Sequence, residues 1–260
     1  MTAVIARAAV APVFAQATLR SEQVSQLVLG ETATVLETTG EWRRVRTDVD
    51  GYGGWINAGY CAEVDEPLAE AWRRDASGWS SGAFVRVGEV RLRLPLRARV
   101  VIEGESIRLP DGRVGRLADG AVAPVDDARP AARAKAPERW AIEHFAGAPY
   151  QWGGVTPCGV DCSGVVQTTF LARGVVLPRD SEQQSHCGAP VELDRVQAGD
   201  LLFFRGNDAK ITHVAFAGEA DTLVHSAVSV GGVVQEDWRP GSRAASLRER
   251  LVAARRLEER

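Results

Sequence analysis

Cysteine is scarce in this chain. Cys61, Cys158, Cys162 and Cys187 are the only four in 260 residues, and their irregular spacing excludes a disulfide-stapled scaffold and fits a reducing compartment. Long apolar runs are missing too: none approaches the roughly 18 residues of a membrane-spanning helix, so no such helix is expected. No block of five or more like charges occurs, and the net charge is only −3. That balance excludes a global electrostatic drive toward nucleic acid or an anionic membrane, and neither is expected as a partner. The N-terminus, MTAVIARAAVAPVFAQA, has no basic segment before its apolar run, which Arg7 interrupts. Although VFAQA resembles a cleavage site, Pro12 and the alternating pattern suit an entering strand, so a cytoplasmic protein is expected, with export to the cell envelope as the alternative. What is present is 45% apolar and 25% charged residues, enough for two or three small domains with real cores and too apolar for disorder.

The first half reads as β-structure. Short runs at Thr32–Leu36, Trp42–Arg46 and Gly54–Ile56 are separated by Gly30, Gly40 and an Asp50-Gly51 turn, the pattern of a small barrel of hairpins. The pattern returns 61 residues later: DGYGGWINAGYCAEV from Asp50 and DGRVGRLADGAVAPV from Asp111 coincide at six of fifteen positions. This internal duplication predicts two barrel modules, residues 1–66 and 67–127, with a short helical connector at Pro67–Asp75. The alternating arginines of RVGEVRLRLPLRAR read as strands with a solvated face. DDARPAARAKAP lacks an apolar face and is taken as part of a linker, residues 128–137. A last domain follows, residues 138–260. Its first helix is PERWAIEHFAG, with Pro137 at the first position and Gly147 at the stop, and His144 on it reads as structural or exposed rather than catalytic.

The segment Tyr150–Gly164, YQWGGVTPCGVDCSG, reads as a loop running into a helix of about three turns that ends at Gly174. Asp161 is its expected N-cap. Cys162 then lies where free backbone N–H groups and the helix dipole favour a thiolate. A nucleophilic thiol needs a base, and His213 in ITHVAF or His225 in LVHSA can supply one from distant strands. The strands Leu201–Phe204, Ile211–Ala217, Thr222–His225 and Val233–Glu236 follow the helices, which makes an α+β domain. The tail from Arg243 to Arg260 reads as a helix with Leu247, Leu251 and Val252 on its apolar side. The rival readings are a buried structural thiol at Cys162, or a metal site of Cys158, Cys162, His186 and Cys187. The latter spacing matches no familiar zinc arrangement, and neither metal nor cofactor is expected.

The order Y-x-W-G-G, D-C-S-G, R-D-S, A-G-D-L-L-F-F, H-V-A-F and H-S resembles the NlpC-type peptidoglycan cysteine peptidases over about Ala136–Trp238. The upstream modules resemble the bacterial SH3-type barrels of the γ-D-glutamyl-L-diamino acid endopeptidases among them. The resemblance implies two small SH3-like β-barrels followed by an α+β papain-like catalytic domain. It implies Cys162 as nucleophile, His213 as base and His225 as the group orienting it. In ITHVAFAG, alternation leaves His213, Ala215 and Ala217 on one face, with small residues beside the imidazole. Tyr150 matches the family tyrosine near the oxyanion, and Trp152 is expected to pack the loop. Asp180 and Ser181, with Ser163 nearby, match residues that hold the free α-ammonium of an N-terminal L-Ala. For Asp180 the rival role is a cap on the helix beginning at Ser181. Tyr52 is the candidate contribution of the first barrel to the pocket, or else ordinary barrel surface.

Three function classes follow. The first is hydrolysis of the γ-D-glutamyl–diamino acid bond, to meso-diaminopimelate or L-Lys, in muropeptides with a free N-terminal L-Ala during murein recycling, by a monomer. The second keeps the thiol and changes the substrate to intact peptidoglycan, or the reaction to acyl transfer. The third is a non-catalytic wall-binding protein.

Overall fold

The computed structural model describes residues 2–257, in two units that divide between Ala128 and Arg129. The first begins with β1 (Thr2–Ala6), β2 (Val10–Phe14), β3 (Gln23–Val28), β4 (Thr32–Thr39), β5 (Trp42–Thr47), β6 (Gly53–Asn57) and β7 (Cys61–Asp65). They form one sheet in the order β3-β2-β6-β5-β4-β1-β7. The apolar run near the N-terminus is a strand paired on both edges, with β4 and with β7. Its period of two serves two cores: Val4 and Ala6 join Val13, Leu27, Val45 and Ile56, while Ile5 meets Trp72, Ala76 and Val101.

Trp72 lies on α1 (Glu66–Asp75), whose N-cap Asp65 accepts from the Leu68 N–H. Then β8 (Gly78–Val87), β9 (Val90–Glu103), β10 (Ser106–Arg108) and β11 (Val114–Pro124) close into a barrel in the order β10-β11-β8-β9. Between the two sheets lies a buried ion pair. Arg97 of β9, at φ 73°, donates from Nε to Glu31 at 2.6 Å and from Nη2 at 3.1 Å, and Glu31 also accepts from the Val28 N–H at 2.9 Å.

Two helices lead toward the second sheet, α2 (Val125–Arg133) and α3 (Pro137–Phe145). The expected linker at 128–137 is thus largely helical. Pro130 lies inside α2 and leaves the helix one hydrogen bond short, but tertiary contacts fix its end. Arg173 donates to the carbonyls of Ala132 at 2.7 Å and Lys135 at 2.8 Å, and Arg133 returns a bond to the Arg173 carbonyl. Next come the hairpin β12 (Val155–Thr156) and β13 (Gly159–Val160), α4 (Cys162–Ala172) and α5 (Ser181–Gln184).

The second sheet comprises β14 (Ala189–Pro190), β15 (Leu201–Arg205), β16 (Ile211–Ala217), β17 (Thr222–Ala227), β18 (Gly232–Asp237) and β19 (Leu251–Arg256). It is antiparallel, in the order β14-β19-β15-β16-β17-β18. The C-terminal segment is therefore not one helix. Residues Arg243–Arg250 form 3-10 turns, and β19 inserts between β14 and β15, where the open edge of β15 accepts its backbone. Residues 258–260 of that expected helix lie outside the described residues. On one face of the sheet Phe216 meets Phe170 of α4 at 6.0 Å between ring centroids. On the other, Leu202, Phe204, Ala215, Ala217 and Leu223 pack with Trp238 and Ala254.

Candidate active site

Asp161 fixes the start of α4. Its carboxylate accepts from the Gly164 N–H at 2.8 Å, as an N-cap does, and from the Gly153 N–H at 2.8 Å, which ties the preceding loop to the helix. Gly153 adopts φ 73°, a conformation that costs glycine little. Gly164 is required for another reason: a Cβ there would stand 2.1 Å from the Gly154 carbonyl oxygen. Beneath the loop Arg179, 2% exposed, donates to both Asp161 oxygens, at 3.1 and 2.6 Å, and to the Ser163 hydroxyl at 2.8 Å. The Ser163 hydroxyl in turn donates to Asp161 at 3.2 Å, so it is committed within this cluster.

Cys162 at the first turn is 8% exposed. Backbone hydrogen bonds from Val214 and Ser163 favour its thiolate, but burial first, and Asp161 second, push the thiol up to about 12. The helix-start position alone therefore does not hold a thiolate at rest. Burial also drives the His213 imidazole down to about 3. Each group, taken singly, resists charge.

Three strands place the imidazoles. Alternation puts His213 on the same face as Ala215 and Ala217, and Ala217 pairs with Leu223 of β17. His225 lies two residues past Leu223, and Glu236 of β18 pairs with Leu223, so all three side chains share that face. His213 Nε2 and His225 Nδ1 are 2.8 Å apart, and His225 Nε2 is 2.7 Å from Glu236 Oε1. The carboxylate only accepts, so His225 carries its proton on Nε2 and accepts at Nδ1. His213 must then donate from Nε2, leaving Nδ1 as its lone-pair nitrogen. The residue after His213 is Val214, whose backbone reaches the Cys162 sulfur.

Tyr150, half-buried, is held by its N–H to the Gly231 carbonyl at 2.9 Å. Burial and then the neighbouring Cys162 and Asp161 push its phenol up, which keeps it a donor beside the sulfur. Asp180 occupies the N-cap position of α5, yet its side chain makes no capping bond. It is half-buried next to Arg179, whose charge it supports. Ser181 follows as the first residue of α5, also half-buried. Tyr52 belongs to the first unit, its N–H donating to Thr47 Oγ1 at 2.9 Å within the Asp50-Gly51 turn. Trp152 does not bury itself in the loop but is 57% exposed, because Gly153, Gly154 and the Asp161 carboxylate already hold that loop by its backbone.

Residues 147–254 match the NlpC/P60 family, and residues 13–59 match the bacterial dipeptidyl-peptidase Sh3 domain. The gamma-D-glutamyl-L-lysine dipeptidyl-peptidase of Bacillus subtilis (strain 168) is 30% identical over 214 residues, covering 78% of this chain and 71% of that protein. The chain belongs to the NlpC/P60 family. Its namesake in Bacillus cereus is 28% identical over 223 residues, 78% of this chain and 66% of that protein. A crystal structure of an NlpC/P60 family protein from Bacillus cereus shares the fold, with a TM-score of 0.80 over 98% of this chain and 99% of that one at 21% identity.

The protein is thus an NlpC/P60 cysteine peptidase with an SH3-like domain ahead of a papain-like one. Three residues around the NlpC/P60 site escaped the sequence reading. Arg179 is the first letter of R-D-S, but nothing in the sequence marks it as buried beneath the loop. Glu236 and Arg243 become visible only once the register of β17 and β18 is fixed.

Proposed function

We propose that this peptidase hydrolyses the bond between γ-D-glutamate and the following diamino acid, meso-diaminopimelate or L-Lys, in muropeptides with a free N-terminal L-Ala. The observation that carries the reading is the imidazole pair, which leaves His213 Nδ1 as a base beside the strand backbone that touches the Cys162 sulfur. In this reading Cys162 attacks the scissile carbonyl as His213 takes the thiol proton. The Tyr150 hydroxyl and the Cys162 N–H receive the oxyanion, and His213 returns the proton to the departing amine. Water, deprotonated by His213, then cleaves the thioester, and His225 holds His213 throughout.

Substrate selection is assigned to Asp180 and Ser181, with Ser163 behind them. Asp180 is half-buried at the start of α5 beside Arg179, and a carboxylate at that place is assigned to the substrate ammonium. The β8–β11 barrel is taken as a second SH3-type module. A peptide still capped on its alanine has no ammonium, which suits trimmed wall peptides, as in murein recycling. The names of the two Bacillus relatives support this substrate class.

The test compares L-Ala-γ-D-Glu-meso-diaminopimelate, its L-Lys counterpart and their N-acetylated forms, with products mapped by mass spectrometry. Acetylation is expected to lower kcat/KM at least about 100-fold; equal rates would reassign the enzyme to intact peptidoglycan. Cys162→Ala is expected to lower kcat by on the order of 10⁴ or more, and residual turnover near wild type would reassign the nucleophile. Asp180→Ala is expected to raise KM about 10- to 100-fold with little change in iodoacetamide labelling of Cys162. Equal losses in both would make Asp180 a structural residue.

A further inference from the structure

We infer that Glu236 is a positioning residue for this chemistry: its carboxylate sets the tautomer of both imidazoles and supplies the counter-charge for the proton His213 takes, and Arg243 limits that charge. The inference rests on Cys162 as nucleophile and His213 as base. It goes beyond them because a three-residue Cys-His-His site needs neither an acidic group nor a cation behind the second imidazole.

The geometry is continuous across three strands and the turn after them. His225 is 2% exposed, so its Nε2–H has no access to bulk water and depends on Glu236 Oε1 at 2.7 Å. Glu236 is itself held: Arg243 Nε donates to Oε2 at 2.9 Å, Arg243 Nη2 pairs with Oε1, and Nη1 reaches the Ser229 hydroxyl at 3.2 Å. Without an acceptor at that place either nitrogen of His225 can carry the proton. The tautomer with the proton on Nδ1 would oppose the His213 Nε2–H and turn the base away from its working form.

The carboxylate also acts through its charge. When His213 becomes an imidazolium, Glu236, 14% exposed, is one ring away and favours that cation. Arg243, 48% exposed, works in the opposite sense and keeps the His225 proton from moving wholly onto Glu236. The titratable groups at the start of α4, Cys162 and Asp161 with Arg179 behind Asp161, and the Tyr150 phenol interact with one another, and the Val214 backbone beside His213 reaches the Cys162 sulfur. None of these touches His225 Nε2.

Opposite charges behind one imidazole make a prediction of sign. The thiol and imidazole titrate as a pair, so removing a nearby negative charge lowers both limbs of the pH profile, and removing a nearby positive charge raises both. In the full chain, kcat/KM for the tripeptide at neutral pH, and the pH profile of iodoacetamide labelling at Cys162 followed up its alkaline rise to about pH 11, are measured for wild type, Glu236→Gln, Glu236→Ala and Arg243→Met. Glu236→Gln keeps an acceptor oxygen and loses the charge. Its profile is expected to move down by about one unit, with kcat/KM about tenfold lower at neutral pH. Glu236→Ala loses the acceptor as well and is expected to be slower still. Arg243→Met is expected to move the profile up. Should the glutamate variants fail to fold, the upward shift in Arg243→Met still decides the matter.

Profiles of Glu236→Gln and Arg243→Met that overlay wild type, or move in the same direction, overturn the inference while leaving Cys162 and His213 in place. A wild-type chain that is not labelled at Cys162 overturns the underlying reading, and the inference with it.

Discussion

At the scale of single residues, Asp161 creates a conflict that Arg179 resolves. The carboxylate is needed where it is, since it caps α4 and clamps Gly153. Its charge, however, stands beside Cys162 and opposes the thiolate, and the Arg179 guanidinium offsets that effect. Replacing Arg179 by Met should leave a carboxylate 6% exposed with no counter-charge. A loss of about 3–5 kcal/mol is expected, read as a lower urea midpoint for the catalytic domain, together with slower iodoacetamide labelling of Cys162. The double variant Asp161→Asn, Arg179→Met removes both charges and should recover part of the stability, so the cycle isolates the pair. A single variant within about 0.5 kcal/mol of wild type would show that the pair is not needed. Arg179→Lys is not expected to rescue, because one ammonium cannot reach both Asp161 oxygens, the Ser163 hydroxyl and the Gly154 carbonyl, which Arg179 Nη2 reaches at 3.3 Å, as the guanidinium fork does.

At the scale of elements, what could be read from the sequence is what local chemistry decides. The start of α4 follows from Asp161 ahead of Cys162, and that of α3 from Pro137 at its first position. The strand Ile211–Ala217 follows from alternation, and the Asp-Gly pairs at 50–51 and 111–112 do adopt the positive φ, 73° and 82°, that such turns demand. What could not be read is what distant partners decide. Leu251–Arg256 is made of good helix formers and becomes a strand because an open edge of β15 receives it. Ala131 and Ala132 stay helical past Pro130 because Arg173, forty residues on, holds the end of α2. Around the candidate site, Cys162 and the two histidines stood out as residue types, whereas Glu236 required a register. The first unit carries its own example. Glu31 and Arg97 lie 66 positions apart, and each would be read alone as an ordinary surface charge, yet they are 4% and 2% exposed. Arg97→Met should cost about 3–5 kcal/mol in urea unfolding of the first unit, since Glu31 would keep only the Val28 N–H. A cost below about 1 kcal/mol would mean that the pair behaves as if solvated.

At the scale of the whole molecule, the buried groups of the candidate site limit the pH range over which its domain stays folded. His213 titrates near 6.5 in the unfolded chain and near 3 in the folded one. Above about pH 6.5 the imidazole is neutral in both states and adds no pH dependence. As pH falls from about 6.5 toward 3 the unfolded chain binds a proton that the folded chain refuses, and stability drops by at most about 1.4 kcal/mol per pH unit for this group. Burial lowers His225 and His144 as well, so the acid limb is a sum. Cys162 acts at the other end: its thiol ionises near 9 when unfolded and near 12 when folded, so stability is lost as pH rises between those values. The domain should therefore be most stable between about pH 6.5 and 9, the same interval in which a neutral thiol and a neutral imidazole stand ready to exchange a proton. Urea midpoints measured from pH 4 to 10 should form this plateau. His213→Gln should make the acid side shallower and Cys162→Ala the alkaline side, each leaving the other side as it was. An acid limb unchanged by His213→Gln would mean that the imidazole is hydrated enough to take its proton without unfolding the domain. The neutral resting pair argued for the site would then give way to one already charged before substrate arrives.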